Sequence, residues 1–297
     1  MQPSLKVIGS VQSQAYHVLV EDRPFFYPSY HFHPQYEIML LQESTGTRIV
    51  GDSIEGFKPG DVVFLGRNLP HIWRNDEEYY KKNSKLKARA VVIYFKEDFL
   101  GGDFLILQEM HAIKQLFERS KRGMIFTGQA KRDLQAAIEK VPELEGMDRL
   151  IALLNILNSM ARTSEFRLIS GPAFNEKVTK PDSARIDRLY NYVLDNHKRS
   201  ISLHAIAEYA NMNPSSFCRY FKSKTGKSFV SFLNEIRIGN ACKMLVEGKQ
   251  SVTQICYEVG FNNFSNFSRQ FKKIKGCSPV EFQRRHLQKR EATVQTS

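Results

Sequence analysis

Little in this 297-residue chain can staple it covalently or hold it in lipid. There are four cysteines, Cys218, Cys242, Cys256 and Cys277, and none stands in a CxxC spacing. They read as reduced thiols, mostly core filler, and argue against a secreted disulfide scaffold. The longest apolar run, near Leu150–Leu157, is far short of a bilayer span. The opening MQPSLKVIGS lacks the charged region and apolar stretch of a signal peptide. The expected location is therefore cytoplasmic, with no membrane partner. Acidic residues are scarce in the last third. Residues 183–297 hold 19 Lys and Arg against 8 Asp and Glu, an excess of 11 within the chain's net +12. A basic part joined to a nearly neutral one suggests a polyanion-binding module attached to something else. The length is enough for two separate cores.

The basic third contains an internal repeat. Residues 202–229, SLHAIAEYANMNPSSFCRYFKSKTGKSF, resemble residues 251–279, SVTQICYEVGFNNFSNFSRQFKKIKGCSP. Ser202, Ile206 and Ala210 align with Ser251, Ile255 and Val259 at an offset of 49. Phe217, Arg219, Phe221, Lys222, Gly226 and Ser228 align with Phe267, Arg269, Phe271, Lys272, Gly276 and Ser278 at 50. A slip of one residue in mid-unit is what a turn absorbs, so each copy reads as helix, turn, helix. Ser202, Asn213 before Pro214, Ser251 with Gln254, and Ser278 with Glu281 are helix-start signals. Gly226, Gly248 and Gly276 are stop signals. They predict helices near 184–198, 202–210, 214–225, 229–247, 251–259, 263–275 and 279–287.

Ahead of this region the chain falls into further pieces. Residues 1–105 read as β structure, in the runs AYHVLVED, YEIMLLQE, TGTRIVGD, DVVFLG and LKARAVVIYF, separated by turn residues such as Pro59-Gly60-Asp61. Many short strands of this kind predict a barrel or sandwich. Residues 106–170 turn helical, with helices over Gln129–Val141 and Asp148–Ala161. The second is apolar round much of its circumference and should bury against more than one neighbour, in the same chain or in a second subunit. Residues 171–182, GPAFNEKVTKPD, read as a linker, 183–290 as the repeat domain, and 291–297 as a tail.

On the second helix of each repeat the aromatic residues share one face. Phe217, Tyr220 and Phe221 are the expected packing face of the first, and Phe264, Phe267, Phe271 and Ile274 that of the second. Ser215, Ser216 and Arg219, and then Ser265, Asn266 and Arg269, are left facing outward early in their helices. Small polar residues with one arginine suit base edges in a major groove. Lys222, Lys272 and Lys273 follow later and suit phosphates. The helix between the units is about 27 Å long at 1.5 Å per residue. That is near the roughly 34 Å between successive major-groove entries.

Residues 184–287, and the stretch GFNNFSNFSRQFKKIKGCSPVEFQRR above all, resemble the AraC-type transcription regulators. The resemblance implies a seven-helix DNA-binding domain with base contacts from Ser215, Ser216, Arg219, Ser265, Asn266 and Arg269. HFHPQYE and PGDVVFLGRNLPHIWRN resemble the two cupin motifs of the sensor domain common in this family. The implied fold is two-domain α+β: a cupin-like β-barrel, a helical dimerisation or signal-transmission segment, and an all-α double helix-turn-helix. The implied function is a sequence-specific transcriptional activator, not an enzyme, controlled by a small-molecule effector with a sugar among the candidates. The implied partners are promoter DNA, RNA polymerase and a second copy of the chain. His31, His33, Tyr36, Glu37, Arg48, His71 and Trp73 are the candidate effector residues. His31, His33, Glu37 and His71 also match the cupin metal-ligand pattern, but we read them as structural or pocket-lining, with no metal and no cofactor. Two alternatives remain open: a metal-dependent cupin enzyme fused to a DNA-binding domain, and a ligand-independent DNA-binding regulator.

Overall fold

The computed structural model describes residues 16–172, 174 and 180–294. The opening decapeptide, half of the expected linker and the last three residues lie outside them. The chain divides into two compact units, Met1–Ala184 and Arg185–Ser297.

Among its described residues the first unit holds nine strands: β1 (Tyr16–Arg23), β2 (Tyr36–Glu43), β3 (Gly46–Val50), β4 (Ser53–Phe57), β5 (Val62–Leu65), β6 (His71–Asn75), β7 (Ala88–Phe95), β8 (Met124–Phe126) and β9 (Phe166–Leu168). Three α-helices accompany them: α1 (His111–Ser120), α2 (Gly128–Lys140) and α3 (Gly146–Arg162). Six strands form one sheet in the order β1-β7-β2-β5-β8-β9, and three form another in the order β4-β3-β6. The expected barrel does not close. Among the described residues no hydrogen-bonded ring forms, and only an isolated bridge joins His31, which lies in no named strand, to His71 of β6. Pro24, Pro28 and Pro34 punctuate the segment between β1 and β2. Proline has no N–H to give a ladder, so that stretch cannot run as a continuous strand. The strands β4, β6, β8 and β9 are additional to the five runs legible in the sequence.

Strand β2 shows how the site is placed. Alternate residues of a strand face opposite sides. Tyr36, Ile38 and Leu40 enter a core with Phe64, Phe95, Leu116, Phe117 and the buried residues Leu153, Ile156 and Met160 of α3. Met39 and Leu41 enter a second core with Val63, Trp73, Val92 and Tyr94. Both faces are covered, so the strand is apolar and buried from Ile38 to Leu41, and the alternation sends the buried Glu37 to the second side. Helix α3 packs on both α1 and α2, as its broad apolar surface requires, and leaves Met147 and Ile151 exposed.

The second unit is all helix: α4 (Lys180–Asn196), which begins just before the boundary, α5 (Leu203–Tyr209), α6 (Pro214–Thr225), α7 (Phe229–Glu247), α8 (Val252–Glu258), α9 (Phe264–Lys275) and α10 (Pro279–Val294). These are the seven expected helices, with α10 running seven residues beyond the predicted Leu287. The start signals work as read. Ser202 Oγ accepts from the Ala205 amide, Asn213 Oδ1 from Ser216 and Asn263 Oδ1 from Asn266. Ser251 and Gln254 form a reciprocal capping box. Gly226, Gly248 and Gly276 end their helices in the left-handed region at φ 74°, 72° and 74°. A side chain there would be strained.

Candidate nucleic-acid interface and ligand cavity

The helices α6 and α9 present equivalent faces. Phe217 and Phe221 of α6, and Phe267 and Phe271 of α9, are fully buried. They anchor each helix against its own unit. Phe264 departs from the expected packing face: it is 38% exposed, because it is the first residue of α9 and overhangs the turn. Ser215, Arg219 and Lys222 are exposed on α6, with Ser216 half-buried. Ser265, Arg269, Lys272 and Lys273 are exposed on α9, with Asn266 half-buried. Cys218 is exposed too, so it is not core filler, while Cys256 and Cys277 are buried. On α9 two of the candidate readers are joined, with Arg269 Nη2 donating to Asn266 Oδ1 at 3.0 Å. The Asn266 amide is itself capped by Asn263. An anchored arginine spends less conformational entropy on meeting a ligand than a free one. Helix α7 between the units has 19 residues, about 28 Å at 1.5 Å per residue.

The first unit holds a cavity of about 230 Å³. Of the candidate effector residues, His31, Glu37, His71 and Trp73 line it. His33 stands behind them, 2% exposed, with its ring 5.4 Å from that of Tyr94. Tyr36 does not reach the cavity. The pleat sends it to the other core, where it stacks on Phe117 at 4.3 Å and its hydroxyl donates to Glu97 at 3.5 Å. Arg48 is not in the lining either. It is 1% exposed and bridges Glu55 at 2.9 Å and Asp61 at 3.1 Å, with its guanidinium 5.7 Å from the centre of the Trp73 ring. Glu21, paired with Arg23, and Phe26, Met39 and Tyr94 complete much of the wall. Sequence reasoning missed them because they are an edge strand, a loop aromatic and two residues inside apolar runs. Only the alternation of β2 and β7 marked Met39 and Tyr94 as sharing Glu37's side.

Electrostatics in this wall are set by burial. Burial pushes the His31 imidazole down to about 3, so it is neutral near pH 7. Burial alone would raise the Glu37 carboxyl, but the His71 charge and hydrogen bonds from His33 and His71 outweigh it and hold it well below its usual value. Burial, with Glu37 and Glu21 nearby, raises the Tyr94 hydroxyl well above its usual value. The indole Nε1 of Trp73 is buried without a hydrogen-bond partner.

The C-terminal region matches the family described as "Helix-turn-helix domain" over residues 206–285. Over 272 residues, 89% of both chains, the protein is 24% identical to the "HTH-type transcriptional activator RhaS" of Salmonella paratyphi B, and equally to that of Salmonella typhimurium. Among solved structures, the C-terminal domain of AraT, a response regulator from Geobacillus stearothermophilus, is 29% identical. It covers 34% of this chain and 84% of that one, at a TM-score of 0.32. ToxT from Vibrio cholerae is 15% identical and covers 91% of this chain and 98% of its own, at a TM-score of 0.35. Among the described residues, no helix is long and apolar enough to cross a membrane.

Proposed function

We propose that this chain, which belongs to the AraC-type transcription regulators, activates transcription from promoters that it grips through α6 and α9, under the control of a small molecule held in the cupin-like N-terminal unit. One observation carries the reading: two helices with matching caps, matching buried Phe pairs and matching exposed cationic faces, one at either side of α7. In this reading Ser215, Ser216 and Arg219 meet base edges from α6, and Ser265, Asn266 and Arg269 do so from α9. Lys222, Lys272 and Lys273 hold phosphates, which set position without reading sequence. The curated relatives named as activators support a positive effect on transcription. RNA polymerase is then the further partner.

The cavity supports effector control. Its volume suits a small metabolite, and its wall mixes carboxylates, imidazoles and aromatic faces. A sugar fits that chemistry, with hydroxyls toward Glu21 and the unpartnered Trp73 Nε1. The apolar residues Met147 and Ile151, exposed on α3, support dimerisation through the middle helices. An effector need only favour one arrangement of the DNA-binding units by about 1–3 kcal/mol.

The test is binding of the full chain to promoter fragments recovered by genome-wide mapping. Affinity should fall steeply and log-linearly as salt rises. A flat salt response ends the reading. Metabolite screening by thermal shift tests the sensor half, since a true effector must raise the melting temperature.

A further inference from the structure

The helices α6 and α9 differ at one position that bears on what each can read. Ser216 and Asn266 are each the third residue of their helix, and Arg219 and Arg269 each the sixth. A spacing of three puts the two side chains on one face, a turn apart. On α9, Arg269 Nη2 donates to Asn266 Oδ1 at 3.0 Å. A guanidinium only donates, so the asparagine atom that faces it is the oxygen. On α6 the hydroxymethyl of Ser216 is too short for that bond, and among the described residues Arg219 has neither a hydrogen bond nor an ion pair.

The tether sets both direction and chemistry. It draws the guanidinium toward the start of α9 and away from Lys272 and Lys273, which follow Arg269 by three and four residues. Side chains on a helix already lean toward its N-terminus, so the bond holds Arg269 along its natural course. In a groove-binding helix it is the early residues that meet base edges. With the Asn266 oxygen engaged, the pair meets a groove chiefly with donors: the other N–H groups of Arg269 and the Nδ2 of Asn266. Guanine is the base whose major-groove edge offers two acceptors, O6 and N7, side by side. Adenine sets an amino donor beside its one acceptor, cytosine shows an amino donor, and thymine sets a methyl group beside its acceptor. An asparagine that is bidentate to adenine needs its oxygen for the N6 amino group. On α9 that oxygen serves Arg269.

We propose that α9 fixes a guanine through Arg269, with Asn266 as the specificity-determining residue that holds the guanidinium in place for it. The corresponding base under α6 is loosely specified, because Ser216 leaves Arg219 free to reach a base edge or a phosphate. The two units thus divide the work: α9 reads, and α6 mainly positions. This rests on the reading that both helices meet DNA, and adds to it the identity of one base and the reason that the two units differ. A bidentate arginine on guanine discriminates against the wrong base by about 5- to 150-fold. Loss of one hydrogen bond that only orients the arginine costs about 2- to 10-fold of that.

The test selects binding sites for the full-length protein from a random duplex pool, and repeats the selection with Arg269→Ala, Asn266→Ala and Ser216→Asn. The position read by Arg269 is the one whose preference flattens in Arg269→Ala. The expected base there is guanine. Replacing it by adenine should weaken binding by about 5- to 150-fold, and replacing it by 7-deazaguanine, which pairs normally but lacks the N7 acceptor, should weaken wild-type binding in part. Asn266→Ala should erode the preference at that position and spare the others. Ser216→Asn should sharpen a guanine preference elsewhere in the site, a gain that a misfolded variant cannot mimic. Adenine at the Arg269 position, an even loss on all sequences with Arg269→Ala, or preferences unchanged in both Asn266→Ala and Ser216→Asn would each overturn the proposal and leave DNA binding standing. Failure of the wild type to enrich any sequence would overturn both.

Discussion

Arg237, in the middle of α7, donates from Nε to the carbonyl oxygen of His197 across 2.8 Å. Its Nη2 donates to the Arg199 carbonyl at the same distance. Both carbonyls follow the end of α4, where a helix leaves its acceptors unsatisfied and carries partial negative charge. The guanidinium also lies 5.6 Å from the centre of the Phe261 ring, in the turn between α8 and α9. One buried cation therefore ties α4, the spacer helix and the second reading head together.

Removing that tie leaves buried carbonyls unmet. Arg237→Met should destabilise the DNA-binding unit by about 2–4 kcal/mol. Arg237→Lys should recover only part of the loss, since an ammonium lacks the fork that spans two carbonyls. Denaturant unfolding of the two variants, followed by far-UV circular dichroism, checks this; an Arg237→Lys variant as stable as the wild type would mean the fork is irrelevant.

Gly260 sits beside the same His197 carbonyl at φ +97°, and a Cβ there would lie 2.5 Å from the His197 oxygen and 2.9 Å from that of Lys198. Gly260→Ala combines strain with a backbone clash and should cost about 2–4 kcal/mol. A melting temperature within a degree or so of wild type would show that the turn relaxes freely.

The two kinds of cation on α9 should separate in binding. Arg269→Ala should reduce discrimination between a mapped target and random DNA by about 1–3 kcal/mol, and Lys272→Ala should weaken both alike. Asn266→Ala releases Arg269 from its 3.0 Å partner and should lower specificity in the same direction as Arg269→Ala. Fluorescence anisotropy on both DNAs reads all three. An equal loss on the two DNAs for Arg269→Ala would make that residue a phosphate contact.

Acid stability of the first unit should depend on Glu55. It accepts from Arg167 at 2.7 Å and from the buried Arg48 at 2.9 Å. Burial would raise its carboxyl, but the hydrogen bonds and charges of Arg167 and Arg48 bring it from 4.5 down to about 2. A carboxyl depressed in the folded state stabilises fully above its unfolded value and loses that contribution as pH falls through the folded one. The window is therefore pH 4.5 to 2, and the contribution is at most about 3 kcal/mol, reduced by screening at the half-exposed Arg167. Glu55→Gln should lower the melting temperature at pH 7 and have little effect near pH 2. A pH-independent difference would remove the charge from the explanation.

Much of the DNA-binding unit could be read directly because its signals are local. Asn213-Pro214, Ser251 with Gln254, and the glycines at 226, 248 and 276 act within a single helical turn, and the structure uses them as caps and stops. The Phe217 and Phe267 faces follow from the 3.6-residue period alone. Phe264 escaped that rule because an end residue has no preceding turn to pack on. The N-terminal unit was less legible. Its strand pairings join residues far apart, such as Arg48 opposite Trp73 and His31 opposite His71. The three-residue strands β8 and β9 carry too little pattern to be seen from sequence.

The sequence by itself determined the seven C-terminal helices, their caps, the charge asymmetry and which face of β2 Glu37 takes, because each of these depends on near neighbours or on a fixed period. Tertiary structure alone decided that the sheets stay separate, that Tyr36 and Arg48 turn away from the cavity while Glu21 and Tyr94 line it, and that the imidazoles of His33 and His71 bring their Nε2 atoms to the Glu37 carboxylate. Those outcomes depend on which distant segments pair and on which backbone carbonyls they bring to each ring, and no local period encodes that.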